Sequence, residues 1–279
     1  MISLKFICVV FLIVVLIQAE EISRFSTDDD YQPGKREDFE IIEGNQILPS
    51  DAPWTVAIKL VVSGTLQCSA TIIHPKHVLT TASCVSDADN EKYFVYAGTC
   101  LPNDNQSYNV TKIFRHENYG LMEPNYESVN DIAVVRVDRI FDFDKCLSLI
   151  DMADKNEEIV GSLLANMYFW QDQVNSEGRY VRSMLYSLPL SINTYDECNG
   201  HFRKSDVPIL YKTKICGVSD MTLCMLDLWG SSLVSGNVTT KRLIGFYDSN
   251  EACKDSKYGH VFTRVAPYRA WIDDQINQV

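Results

Sequence analysis

From residue 41 onward the chain alternates short apolar runs with clusters of Pro, Gly, Asn and Asp. The runs "WTVAIKLVV" (54–62), "ATIIHPKHVLTT" (70–81), "EKYFVYAGTC" (91–100) and "DIAVVRV" (131–137) have the alternation and β-branched content of strands. Helical periodicity is found mainly at the end, where "APYRAWIDDQI" (266–276) brings Tyr268, Trp271, Ile272 and Ile276 near one face. Strands separated by turns, with no helices between them, predict an all-β sandwich or barrel pair closed by one docking helix.

The first forty residues follow neither pattern. Residues 1–19 pass from Lys5 through "FICVVFLIVVLI" to "QA", the order of charged, apolar and small residues in a cleaved secretory signal. The apolar run is shorter than the roughly 18 residues a membrane span needs, so a secreted protein without a membrane partner is expected, with an uncleaved anchor as the alternative. Residues 20–40 hold eight acids against three bases around Pro33-Gly34, and read as a disordered leader or propeptide. The predicted folded domain is therefore 41–279.

Composition narrows the function classes. The 279 residues are 46% hydrophobic, enough for a sizeable core, and carry a net charge of −12. An acidic body disfavours nucleic acid and anionic membrane surfaces as partners. Of nine cysteines, Cys8 leaves with the signal and eight remain, an even number suited to disulfides in an oxidising compartment. Their spacing lacks the short pairs and His ligands of a zinc site, so neither a metal nor a cofactor is expected. Asn105, Asn109 and Asn237 open N-x-Ser/Thr triplets that are open to glycosylation after secretion.

Several of these stretches share an order. "IIEG" (41–44), "CSATIIHPKHVLTTASC" (68–84), "NDIAVVRV" (130–137), "CMLDLWGSSLV" (224–234) and "GHVFTRVAPYRAWI" (259–272) together resemble the chymotrypsin-like, trypsin-fold serine proteases. The resemblance covers nearly all of 41–279 and implies two packed six-stranded antiparallel β-barrels with a C-terminal helix. It also implies the disulfides Cys68–Cys84, Cys198–Cys216 and Cys224–Cys253. Cys100 and Cys146 remain as a fourth pair, with two free thiols as the alternative.

The family's chemistry requires a hydroxyl nucleophile, an imidazole base, a carboxylate that orients it and backbone N–H donors for the oxyanion. Carried over by position, the base is Ser83, the carboxylate Asp131 and the nucleophile Leu228, while Leu226 replaces the oxyanion-hole Gly. A Ser hydroxyl does not accept and return a proton near neutral pH as imidazole does, and Leu has no nucleophilic atom. Losing nucleophile or base alone costs on the order of 10^6 in kcat in such a triad. Asp131, with no imidazole to hold, is expected to bond Ser83 or backbone groups. Ser231 and Ser232, three and four residues beyond Leu228, are expected to be packing residues.

The former specificity pocket reads Thr222, Asn250 and His260, the last expected to fill it with its ring. Activation in the family buries a new N-terminus, here Ile41, against the Asp before the nucleophile, here Asp227. Glu40 precedes Ile41, and the basic pair Lys35-Arg36 lies four residues too early. The resulting expectation is a protein that is not an enzyme: a secreted protease homologue that binds or regulates a protease, an inhibitor or a receptor. Homologues of this kind in immune cascades, venom, saliva and seminal fluid set its range of roles. The alternatives are a hydrolase using a non-standard constellation and a storage or structural protein.

Overall fold

The computed structural model describes residues 44–86, 89–98, 106–122, 127–159, 163–176, 178–194, 196–198, 212–219, 228–236, 240–249 and 260–278. The first half contains β1 (Asn45–Ile47), β2 (Thr55–Leu60), β3 (Leu66–His74), β4 (His77–Thr80), β5 (Tyr93–Ala97), β6 (Gln106–Arg115), β7 (Gly120–Met122), β8 (Glu127–Val129) and β9 (Ala133–Val137). The second contains β10 (Asp151–Met152), β11 (Leu163–Val174), β12 (Tyr180–Ile192), β13 (Lys214–Val218), β14 (Ser232–Ser235), β15 (Arg242–Ser249), β16 (His260–Arg264) and the terminal helix α1 (Arg269–Ile276).

Strands β2-β3-β4-β9-β6-β5 close into a barrel. In the second half β12-β11-β14-β15-β16-β13 run in order, and β13 returns to β12 through Ser191↔Val218 and Ile192↔Gly217. β1 adds to the edge of β12 and the short β10 lies parallel to β15. The expected all-β fold with two barrels and a closing helix is thus observed. The run at 70–81 resolves into a hairpin, with β3 and β4 meeting at His74 and His77 across Pro75-Lys76.

Strands such as β2, β4 and β9 are buried on both faces, whereas β5 and β6 keep the alternation of a strand with one outer face. On β2, Val56 and Ile58 fill the first barrel while Ala57 joins the core between the barrels. On β9, Ala133, Val135 and Val137 point to the lumen and Val134 to the shared core. The pattern repeats on β11, where Met167 and Phe169 line the second barrel while Tyr168 and Trp170 face the first. A period of two therefore sorts each strand between its own lumen and a common interface. The helix supplies Ile272 to that interface, with Tyr268 just before it.

Candidate active site

Three chain segments meet where the barrels pack. Ser83 lies in the turn after β4, and the Cys68–Cys84 disulfide ties this turn to β3. Asp131 lies just before β9. The preceding Asn130 takes a positive φ of 51°, a conformation Asn tolerates, and its side chain bonds Asn118 O and the Tyr268 hydroxyl. Leu228 opens the turn before β14.

That last turn is fixed by close backbone contact. Ser69 N donates to Trp229 O at 2.9 Å, and Gly230 N to Tyr247 O at 2.9 Å. Gly230 has φ 74°, and a Cβ there would lie 2.1 Å from Ser69 O. Only glycine allows the turn to approach β3 this closely.

Asp131 is fully buried at 0% exposure. Ser83 N donates to its Oδ1 at 2.7 Å, and Ser83 Oγ to its Oδ2 at 2.8 Å. The expectation that this carboxylate would turn to Ser83 is met twice over. Ser83 is half-buried, and its hydroxyl also lies 3.1 Å from Thr81 Oγ1. Burial, reinforced by the nearby Asp248 carboxylate, pushes the Asp131 carboxyl up to about 6, although Ser83 and Lys214 pull it down. Leu228 is 1% exposed and packs into the second barrel's core.

Beside this pair is a feature that the sequence reading missed. Lys214 of β13 and Asp248 of β15 are both buried and form an ion pair. Thr263 Oγ1 donates to Asp248 Oδ2 at 2.5 Å, and Lys214 Nζ lies 3.3 Å from Ser128 Oγ. Two buried carboxylates and one ammonium thus cluster next to Ser83. The signal was available: a Lys in the apolar strand "KICGV", and an Asp where the family's pocket wall has Ser.

The other candidates are placed as follows. His260 is 1% exposed, its ring 6.2 Å from that of Tyr247, a buried position consistent with the expected filling role. Ser231 and Ser232 are fully buried; Ser231 Oγ donates to Leu228 O, and Ser232 Oγ lies near Tyr168 O and Thr55 Oγ1. His77 Nδ1 faces His74 Nδ1 at 2.9 Å, and His116 packs on Tyr268 and Trp271. Burial, with His74 and Arg136 nearby, lowers His77 to about 4.

Cys198–Cys216 is formed and Cys146 is disulfide-bonded, which removes the free-thiol alternative at Cys146. Asn109 is exposed on β6. Thr222, Leu226, Asp227, Asn250, Asn105, Asn237, Cys100, Cys224, Cys253, Ile41 and the segments 1–19 and 20–40 lie outside the described residues. Among the described residues no group of three or more His, Cys, Asp or Glu could hold a metal, and no helix is long and apolar enough to cross a membrane.

The family model for trypsin matches residues 41–272. Among similar proteins, trypsin delta of Drosophila erecta is 27% identical over 84% of this chain and 88% of its own length. Human granzyme M is 23% identical over the same shares. Venom serine protease 34 of Apis mellifera is 23% identical over 92% of this chain and 64% of its own length. These matches overturn the expectation that the chain is not an enzyme, because the relatives are trypsins and serine proteases by name and point to protease function. Ser83 and Leu228 exclude the family's usual triad route alone, and leave the non-standard constellation named above as the route that protease function would take.

Proposed function

The chain belongs to the trypsin family, and from that membership we propose that it is a secreted protein that recognises another protein, a protease, an inhibitor or a receptor, and binds or regulates it. The observation that carries this reading is the inward commitment of the site's polar groups. Asp131 gives both oxygens to Ser83, Lys214 pairs with Asp248 through Oδ2, and His260 is enclosed. Barrels and disulfides are kept, so the fold offers a partner its outer surface, where Val62 is 98% and Leu164 79% exposed. Secretion is supported by the signal-like residues 1–19 and the formed disulfides.

The test is titration of the purified chain against a panel of trypsin-like proteases and protein inhibitors, followed by size-exclusion light scattering. A stoichiometric complex with one member is expected; the absence of a complex across the panel sinks the reading.

A second reading is favoured by the relatives' names. On it the chain hydrolyses acyl substrates through groups other than the usual triad, on venom or digestive targets of the kind those names suggest. Turnover of a peptide and ester library measures this, using full-length chain and chain cut before Ile41. Silence in both preparations removes it.

A further inference from the structure

We propose that Ser83 is a nucleophile and Asp131 its general base, a hydroxyl–carboxylate pair able to cleave activated carboxylic esters. This rests on the hydrolytic reading above. The Ser83 Oγ to Asp131 Oδ2 distance of 2.8 Å is within the reach a general base needs. The second carboxylate oxygen accepts from Ser83 N at 2.7 Å, so one residue fixes both the nucleophile and the orientation of its base.

Access and dryness are divided usefully between the two. Asp131 is fully buried, whereas Ser83 keeps part of its surface open. A buried carboxylate held near 6 is a better base than an ordinary one yet is ionised at neutral pH. The groups facing it are Asp248 and Lys214 from the second barrel, Tyr119 ahead of β7, and Tyr268 ahead of α1. Other hydroxyls at the site lack one requirement or the other. Ser231 and Ser232 are sealed, and Ser128 meets Lys214, an ammonium that is paired with Asp248 and cannot accept a proton.

The step balances within the pair and the ester. A lone pair of Ser83 Oγ bonds to the carbonyl carbon as the hydroxyl proton passes to Asp131 Oδ2. The tetrahedral adduct expels the alkoxide, which takes that proton and leaves as alcohol, and Ser83 is acylated. Water then attacks the acyl carbon while giving a proton to Asp131. Ser83 Oγ leaves with that proton, and the carboxylic acid is released.

The experiment uses the full secreted chain with p-nitrophenyl acetate from pH 4 to 9, and peptide mapping of the acyl adduct by mass spectrometry. An acetyl group on Ser83 is expected, with a rate that rises through one ionisation near pH 6 to a plateau. Ser83→Ala should lose the adduct and at least tenfold in rate. Asp131→Asn, checked for native circular dichroism, should lose at least tenfold and the pH step. Mapping on the unaltered chain keeps the test independent of variant folding. An adduct elsewhere, or a rate unchanged in Ser83→Ala, overturns the pair and leaves the hydrolytic reading standing. No adduct and no turnover above buffer overturns both.

Discussion

Two buried carboxylates sit side by side in this molecule and are partnered in different ways. Asp248 is answered by an ammonium, Lys214, with Thr263 as a second donor. Asp131 is answered by a neutral hydroxyl and a backbone N–H, both from Ser83. The first arrangement compensates charge with charge in a dry environment, so removing either partner leaves an isolated ion. The second bonds through a hydroxyl and an N–H, and burial with the nearby Asp248 charge pushes the Asp131 carboxyl up to about 6 although Ser83 and Lys214 pull it down. Two hydrogen bonds fit the Asp131 carboxylate's geometry but do not offset all of its lost hydration.

The largest way to break the contrast is Lys214→Met. It strands the Asp248 carboxylate, and a loss of about 3–5 kcal/mol in urea unfolding at pH 7 is expected. The double change Lys214→Met with Asp248→Leu should recover most of that loss, because neither charge then remains buried. If the double variant is as unstable as the single, the pair is serving packing rather than charge.

A pH series sharpens the comparison next. Asp131 titrates near 6 in the folded chain against about 3.9 when unfolded, so the folded state binds the extra proton between those values. Its contribution is present at low pH and falls as pH rises through that window, by at most about 3 kcal/mol. His77 runs the other way: lowered to about 4 from an ordinary value near 6.5, it costs stability as pH falls from 6.5 towards 4. Asp131→Asn should therefore make stability drop more steeply on acidification below pH 6, since only the His77 slope remains. An unchanged slope in thermal melts at pH 4.5 and 7 would show that Asp131 does not titrate there.

The smallest expected effect is Ser83→Ala. It removes the hydroxyl donor to a buried carboxylate but keeps the backbone one, for a loss of about 1.5–3 kcal/mol at pH 7. The Asp131 pKa should rise further, because the lost bond favoured the ionised form; carboxyl-region NMR titration reads this directly. A pKa that falls would mean that water replaces the hydroxyl.

Much of this fold was legible because strands buried on two faces leave long apolar runs, and because the turn residues between them are local signals. The order of the short motifs identified the family, and Ser83 and Asp131, assigned from those motifs, lie in hydrogen-bond contact in the fold. Function was less legible. The bond between Asp131 and Ser83 was expected from their positions, but the shift that burial gives this carboxyl was not readable from spacing. Lys214 and Asp248 each stand out locally, but their pairing was not legible: they are 34 residues apart and meet only where β13 and β15 flank β16.

By itself the sequence determined the strand-and-turn alternation, the cysteine framework and the residue types available at the site, since these depend on side-chain chemistry and local spacing. Tertiary structure decided which groups are charged in the dry interior and which face each other. A carboxylate near 6, an ammonium sealed against a second carboxylate and a serine left half-buried are consequences of desolvation and distance, and these arise only when the barrels close and pack together.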